Sequence, residues 1–163
     1  MRASPAHASP SGCRPYDRMS DASIHASAVL AGDRAVLIRG PSGSGKSRLA
    51  FDLILAGRTG QLPVTTLIGD DRVRLTDSNG QLIVRGVPEL AGLIEIRGLG
   101  IRTVGFAAEG RVGLVVDLDA ADAERLPPPE ALKTRVSGLE IARIPVAPGY
   151  SALPLVVAFL TTV

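Results

Sequence analysis

The sequence predicts an α/β domain in which a phosphate-binding loop (P-loop) joins a strand to a helix within a mixed sheet. An apolar run lies directly before the glycine-rich segment Gly40–Ser47, and helically spaced apolar residues follow it. Further strand-like runs outnumber helical ones, which favours a mixed sheet over a purely parallel winding. A chain of 163 residues is long enough for one domain with its own core.

The strand, loop and helix are predicted from their apolar spacing. Arg34 to Arg39 encloses Ala-Val-Leu-Ile, which is typical of a buried strand. Gly57 is a natural C-terminal stop for the helix predicted over Ser47 to Ala56. The apolar residues at helical spacing are Leu49, Ala50, Leu53 and Ile54.

The later elements are mostly short strands. Leu62 to Ile68 predicts a strand that ends at Gly69-Asp70-Asp71, and Asn79-Gly80 between two apolar runs predicts a hairpin. Ala120 to Leu126 reads as a short helix or turn before three prolines. The other expected elements are strands at Leu93–Ile96, Val112–Val116 and Leu139–Val146, and a buried helix or strand within Ala152–Val163.

Composition limits the classes of function. The net charge is only +2 and the basic residues are scattered, which argues against a nucleic-acid binder. Cys13 is the only cysteine, and no secretion signal or membrane-spanning run is evident, so we expect a cytoplasmic protein. Residues 1–22 are expected to be a disordered tail and residues 23–163 the folded domain.

The loop matches G-x-x-x-x-G-K-[ST] at every position, as Gly40-Pro41-Ser42-Gly43-Ser44-Gly45-Lys46-Ser47. Glycines let backbone N–H groups approach phosphate oxygens, and the following helix adds its positive end. Lys46 is expected to contact the β and γ phosphates, and the Ser47 hydroxyl is a ligand suited to Mg²⁺. The motif therefore predicts a nucleoside triphosphate bound with magnesium.

Transfer of the terminal phosphate needs carboxylates as well. Asp117 best fits an apolar strand closed by an acid, but it also fits a structural strand end. Adjacent strand residues point to opposite faces, so one of Asp70 and Asp71 could contact the metal and the other an incoming hydroxyl, or only one could reach the site. Alternatively, the pair is a polar strand end with Arg72 as its ion-pair partner. Glu95 alternates with apolar neighbours before a flexible glycine segment, so it is either a site residue or an exposed strand glutamate.

Four segments together resemble the catalytic domain of HPr kinase/phosphorylase, in that family's order and over roughly Ile24 to Val146. The most specific is Glu95-Ile96-Arg97-Gly98-Leu99-Gly100-Ile101, which resembles the family signature. The others are Ile24-His25-Ala26, the loop Gly40–Ser47 and Asp70-Asp71-Arg72-Val73.

The resemblance implies a P-loop fold similar to phosphoenolpyruvate carboxykinase. It also implies an ATP- and Mg²⁺-dependent kinase for a serine of the phosphocarrier HPr or a nitrogen-branch paralogue, with possible homo-oligomers. Lys46 would hold phosphates, and Ser47 and Glu95 the magnesium. The acidic pair would supply the base, with Asp71 favoured and Asp70 as its substitute. His25 matches an active-site histidine, whereas Asp117 becomes a structural strand end.

The sequence departs from the family pattern in three places. The usual N-terminal domain is not seen, and Thr59 to Thr66 looks inserted. Tyr150 stands where an arginine would help to bind phosphate, which weakens the expectation of reverse phosphorolysis. Two alternatives stay open: a nucleotide-sensing regulatory module without phosphotransfer, and a small-molecule kinase.

Overall fold

The structure is a computed structural model that describes residues 23–163. The predicted tail, residues 1–22, lies outside the described residues. The strands are β1 (Ile24–His25), β2 (Ser27–Ala31), β3 (Arg34–Arg39), β4 (Thr65–Gly69), β5 (Arg72–Ser78), β6 (Gln81–Gly86), β7 (Leu93–Ile96), β8 (Gly100–Thr103), β9 (Glu109–Asp117), β10 (Lys133–Val136) and β11 (Leu139–Pro145). The helices are α1 (Lys46–Arg58) and α2 (Leu153–Thr161), with short 3-10 helices at Pro88–Leu90 and Pro129–Leu132.

The main sheet has nine strands and is mixed, as predicted. Its order is β1-β5-β6-β9-β3-β2-β4, and β11 also pairs with β9 while β10 pairs with β11. The pairs β3–β9 and β9–β11 are parallel. The other pairs are antiparallel, including the separate hairpin of β7 and β8.

Strand β3 lies at the centre of the sheet and is buried on both faces. Val36 and Ile38 belong to the core cluster on the side of α1, and Ala35 and Leu37 belong to the cluster on the opposite side. A strand covered on both faces has no polar alternation, which explains its continuous apolar run. The carboxyl end of β3 leads directly into the glycine-rich loop and α1.

Most predicted elements are confirmed. Strand β3 matches its predicted bounds, the Asn79-Gly80 hairpin joins β5 to β6, and the strands near Leu93, Val112 and Leu139 are present. The predicted last element is a helix, but α2 is only partly covered, since Val156 is its only buried residue.

Several predicted bounds differ from those observed. Strand β4 begins at Thr65 instead of Leu62, and Pro63 in between lacks the N–H that a sheet ladder requires. For Ala120 to Leu126, expected as a short helix or a turn, the structure shows turns and bends. Helix α1 continues past Gly57 to Arg58, so Gly57 is not the helix stop.

Gly57 is required for close packing. A Cβ at this position would lie 2.7 Å from the backbone N of Thr65 and 2.9 Å from the carbonyl O of Pro63. Both neighbours are backbone atoms, which cannot move aside as a flexible side chain can. The segment from Thr59 to Thr66, which looked inserted in the sequence, therefore returns tightly against the end of α1.

We predict that Gly57→Ala destabilises the domain although alanine has the higher helix propensity. The propensity gain is about 1 kcal/mol, and overpacking against backbone typically costs about 1–3 kcal/mol. The net free energy of unfolding should fall, measured by urea denaturation. Gly105→Ala is the matched control, because nothing lies within 4 Å of its Cβ position. Equal stability of the two variants would contradict the packing role.

Candidate active site

The glycine-rich loop is a backbone cradle between β3 and α1. Gly43 and Gly45 have positive φ angles of 80° and 97°, which place them in the region that favours glycine. A Cβ on Gly40 would lie 2.6 Å from Ser44 Oγ and 3.0 Å from Leu118 Cβ. The motif glycines thus allow both the turn and the close approach that a phosphate cradle needs.

The loop holds polar groups in a form suited to an anion. Lys46 is buried, and its Nζ donates to the carbonyl oxygens of Gly40 at 2.9 Å and Pro41 at 3.0 Å. Ser44 Oγ is buried without a hydrogen-bond partner. An orphaned hydroxyl costs free energy unless a ligand satisfies it. Together with the positive end of α1, these groups fit a polyphosphate.

Asp70 is almost fully buried, at 7 % exposure, between β4 and β5. Its Oδ1 accepts hydrogen bonds from Ser27 Oγ at 2.8 Å and Ser47 Oγ at 2.7 Å. Its Oδ2 accepts one from the backbone N–H of Glu95 at 3.1 Å. Asp70 therefore connects the loop serine to strands β2 and β7.

Asp71 points away from its neighbour and is exposed. Its backbone φ is 66°, an uncommon left-handed conformation for a non-glycine residue. Its carboxylate contacts His25 Nε2, and the side chains are 64 % and 50 % exposed respectively. Such local strain concentrates at functional sites.

The prediction that Asp70 and Asp71 face opposite ways agrees with the structure. The reason given for it, the alternation of side chains along a strand, was wrong. Asp70 and Asp71 lie in the turn after β4, outside any strand, so the left-handed residue separates them instead of strand pleating. The alternative pairing with Arg72 is not observed in the described residues. Arg72 instead donates to Ser23 Oγ at 3.2 Å.

Glu95 and Arg97 extend from β7 beside the loop. Glu95 is exposed while its neighbour Ile94 is buried, as the alternation predicted, and Glu95 lines the same cleft as Lys46 and Ser47. The guanidinium of Arg97 lies 3.9 Å from the point where a Cβ on Gly43 would stand. Arg97 is thus a cation beside the phosphate cradle.

The carboxylate of Asp117 is paired with two arginines, as expected for a structural strand end. Arg39 donates to it at 2.7 and 2.9 Å, and Arg143 at 2.5 Å. Burial alone would raise the pKa of Asp117, but the hydrogen bonds and charges of Arg39 and Arg143 lower it overall. Arg143 also pairs with Asp122 at 2.7 and 3.0 Å.

One cleft of about 840 Å³ brings together the predicted site residues His25, Asp71 and Glu95 and the loop from Ser42 to Ser47. Asp70 lies behind it, in contact with Ser47. Sequence reasoning assigned no role to Ser27 and Arg97. Arg97 belongs to the string that resembled a family signature, so its position was a usable signal, whereas nothing in the sequence connects Ser27 to Asp70.

The fold and the cleft define a P-loop nucleotide-binding domain with acidic residues beside the loop. Residues 18–160 match the family model described as HPr Serine kinase C-terminal domain. The chain belongs to this family, which confirms the resemblance seen in the sequence. The expected similarity to phosphoenolpyruvate carboxykinase stays a prediction.

Individual relatives agree with the family. The chain is 35% identical over 146 residues to an HPr kinase/phosphorylase of Mycoplasma mycoides subsp. mycoides SC. The aligned region covers 81% of this chain and 44% of that relative. It is also 35% identical over 127 residues to an HPr kinase/phosphorylase of Geobacillus thermodenitrificans. That aligned region covers 70% of this chain and 39% of that relative. The chain thus spans less than half the length of either relative.

A solved structure has the same fold. The HPr(Ser) kinase/phosphatase from Coxiella burnetii superposes with a TM-score of 0.67 at 27% sequence identity. The match covers 86% of this chain and 93% of that one. Separately, no helix within residues 23–163 has the length and apolar character to cross a membrane.

We predict that Asp117→Asn destabilises the fold without removing nucleotide binding. It leaves Arg39 and Arg143 without their carboxylate, which should lower the free energy of unfolding at pH 7 by about 1–3 kcal/mol. The folded pKa of Asp117 lies below its ordinary value, so its stabilisation is present above about pH 4 and is lost as the pH falls through the folded pKa.

Thermal unfolding of wild type and variant between pH 3 and 7 checks both points. The gap in melting temperature should shrink towards the acid end. Asp33→Asn, in the exposed turn between β2 and β3, serves as the control, because Asp33 forms no ion pair within residues 23–163. A gap that stays constant down to pH 3 would show that the charge of Asp117 is not the source of its contribution.

Proposed function

We propose that this domain is an ATP- and Mg²⁺-dependent serine kinase for the phosphocarrier HPr or a nitrogen-branch paralogue, acting in the cytoplasm. The observation that carries the proposal is the exposed Asp71–His25 pair in the same cleft as the phosphate loop. Relatives that bear the name HPr kinase/phosphorylase support the choice of phosphocarrier. Residues 23–163 would form the catalytic domain.

The residues of the loop fit a magnesium-bound triphosphate. Lys46 and the loop amides would bind phosphate oxygens, and Ser44 Oγ would gain the partner that it lacks in the protein. Ser47 and Glu95 would hold Mg²⁺, with Asp70 orienting Ser47. Magnesium sites beside phosphates commonly use only one or two protein ligands, so this small set suffices. When bound, the ion would neutralise phosphate charge.

Asp71 is suited to take the proton from an incoming serine hydroxyl. It is exposed to a macromolecular substrate, and its contact with His25 holds the carboxylate in place. As the serine oxygen bonds to the γ-phosphorus, the bond to the β,γ-bridging oxygen breaks and ADP leaves. Lys46 and the loop N–H groups would stabilise the charge that builds up on the phosphoryl oxygens.

Asp70 fits a supporting role better than that of substitute base. Three donors occupy its two oxygens, and it is buried, so a protein substrate would not reach it directly. Reverse phosphorolysis is not part of the proposal, because Tyr150 offers no positive charge to free phosphate. Homo-oligomerisation stays a prediction.

We expect the purified domain to phosphorylate a cognate phosphocarrier on one serine in the presence of ATP and Mg²⁺. Lys46→Ala should abolish the transfer, because it removes the buried charge from the loop. Mass spectrometry of the phosphocarrier measures the product, and Glu130→Gln, in the short 3-10 helix at Pro129–Leu132, is the control. Absence of any labelled phosphocarrier would refute the kinase, and labelling of a metabolite alone would favour a small-molecule kinase.

Asp71→Asn should lower kcat by about 10²–10⁴-fold, the usual range for a general base. ATP affinity should stay within about twofold, because Asp71 lies outside the loop. Single-turnover transfer and calorimetric ATP binding measure the two quantities. The alternative is a nucleotide-sensing module without phosphotransfer, favoured by Tyr150 in place of an arginine. This alternative requires that the wild type binds ATP but transfers no phosphate, and therefore that Asp71→Asn changes no transfer rate.

A further inference from the structure

The order of strands gives the cleft two chemically different ends. The phosphate loop follows β3, and β2 and β4 lie on one side of it while β9 and β11 lie on the other. The acidic residues Asp70 and Asp71 follow β4. Leu118 follows β9, and Val146 follows β11. Asp70 and Asp71 therefore flank the loop on one side, and these two apolar residues flank it on the other, where the exposed Asp119 also lines the cleft.

The apolar end has a fixed backbone. Leu118 N–H donates to the carbonyl O of Arg39 at 2.8 Å, and Val146 N–H donates to that of Asp117 at 2.9 Å. The side chains of Leu118 and Val146 are buried, and together they form an apolar wall of the cleft. This wall adjoins Gly40, whose Cβ position lies 3.0 Å from Leu118 Cβ.

Tyr150 is the last residue of the turn that follows Val146. The turn is closed by a hydrogen bond of 3.1 Å from Tyr150 N–H to the carbonyl O of Ala147, and Gly149 supplies a positive φ of 75°. Ala152 is buried and caps the N-terminus of α2, so the turn is held at both ends. The Tyr150 side chain lines the cleft and is 71 % exposed, so its ring is largely uncovered by the protein.

The position of the ring matches the nucleoside end of a bound nucleotide. In the proposed kinase, the γ-phosphate must lie beside Asp71 and Glu95, on the β4 side of the loop. The nucleoside would then extend towards the side of β9 and β11, where Leu118, Val146 and Tyr150 line the cleft. An aromatic ring above an apolar wall suits a flat heterocycle, because bases stack on aromatic side chains.

We propose that Tyr150 stacks on the base of the nucleotide and forms the base-binding end of the cleft. The inference rests on the proposed function, since it takes its direction from the placement of the γ-phosphate. It assigns Tyr150 a role in binding a nucleoside group and none in binding phosphate. The ring, not the hydroxyl, carries the interaction.

Isothermal titration with MgATP and with magnesium tripolyphosphate, which lacks a base, separates the two ends of the cleft. Tyr150→Ala should weaken MgATP binding about tenfold, within the range of one base–aromatic stack. It should leave tripolyphosphate affinity within about twofold. Tyr150→Phe keeps the ring and should bind both ligands like the wild type. Matching thermal unfolding of the variants excludes a folding defect.

Each result bears on the proposal. Equal weakening of both ligands by Tyr150→Ala, or weakening by Tyr150→Phe as large as that by Tyr150→Ala, would overturn stacking in favour of a phosphate contact. Unchanged MgATP affinity in Tyr150→Ala would overturn the base site while the kinase proposal stands. A wild type that binds neither ligand removes the proposed function itself.

Discussion

The site depends on the buried carboxylate of Asp70. A buried carboxylate is stable only when donors satisfy it, and Asp70 receives Ser27 from β2, Ser47 from α1 and the backbone N–H of Glu95 from β7. These donors come from three elements far apart in the sequence. The same contacts that satisfy the charge therefore fix the loop serine, the sheet and the β7–β8 hairpin relative to one another, and they explain why Glu95 reaches the loop.

The division between Asp70 and Asp71 follows from that constraint. The oxygens of Asp70 already accept three hydrogen bonds, which leaves little capacity for proton transfer with a substrate. The left-handed backbone at Asp71 turns the carboxylate of Asp71 outwards, where it contacts His25 of β1. Strand β1 pairs with β5 directly after this turn, with His25 opposite Arg72, so pairing of the sheet brings the histidine to the acid.

Local patterns in the sequence predicted local structure well. The phosphate loop, the buried strand β3 and the Asn79-Gly80 hairpin depend on neighbouring residues, so periodicity and glycine placement suffice for them. The roles of Asp117 and Gly57 depend on residues distant in the sequence. Asp117 is neutralised by Arg39 and Arg143, which are 78 and 26 residues away, and Gly57 is explained by the returning backbone at Thr65. No periodicity encodes such contacts, and pattern alone therefore favoured Asp117 as the site acid.

The two ends of the cleft also bear on which phosphate compounds the proposed site would favour. A nucleotide carries its own base, so in the proposed arrangement an aromatic ring at the β9–β11 end would add to its affinity without adding charge. Free phosphate has no base and depends on cations, which in this cleft are those beside the loop, such as Lys46 and Arg97. A tyrosine in place of an arginine at position 150 would therefore favour the binding of a nucleotide while contributing nothing to the binding of free phosphate. If the proposed stacking holds, the ring of Tyr150 acts at the nucleoside end of the cleft and leaves the phosphate contacts of Lys46 and the acidic residues beside the loop unchanged.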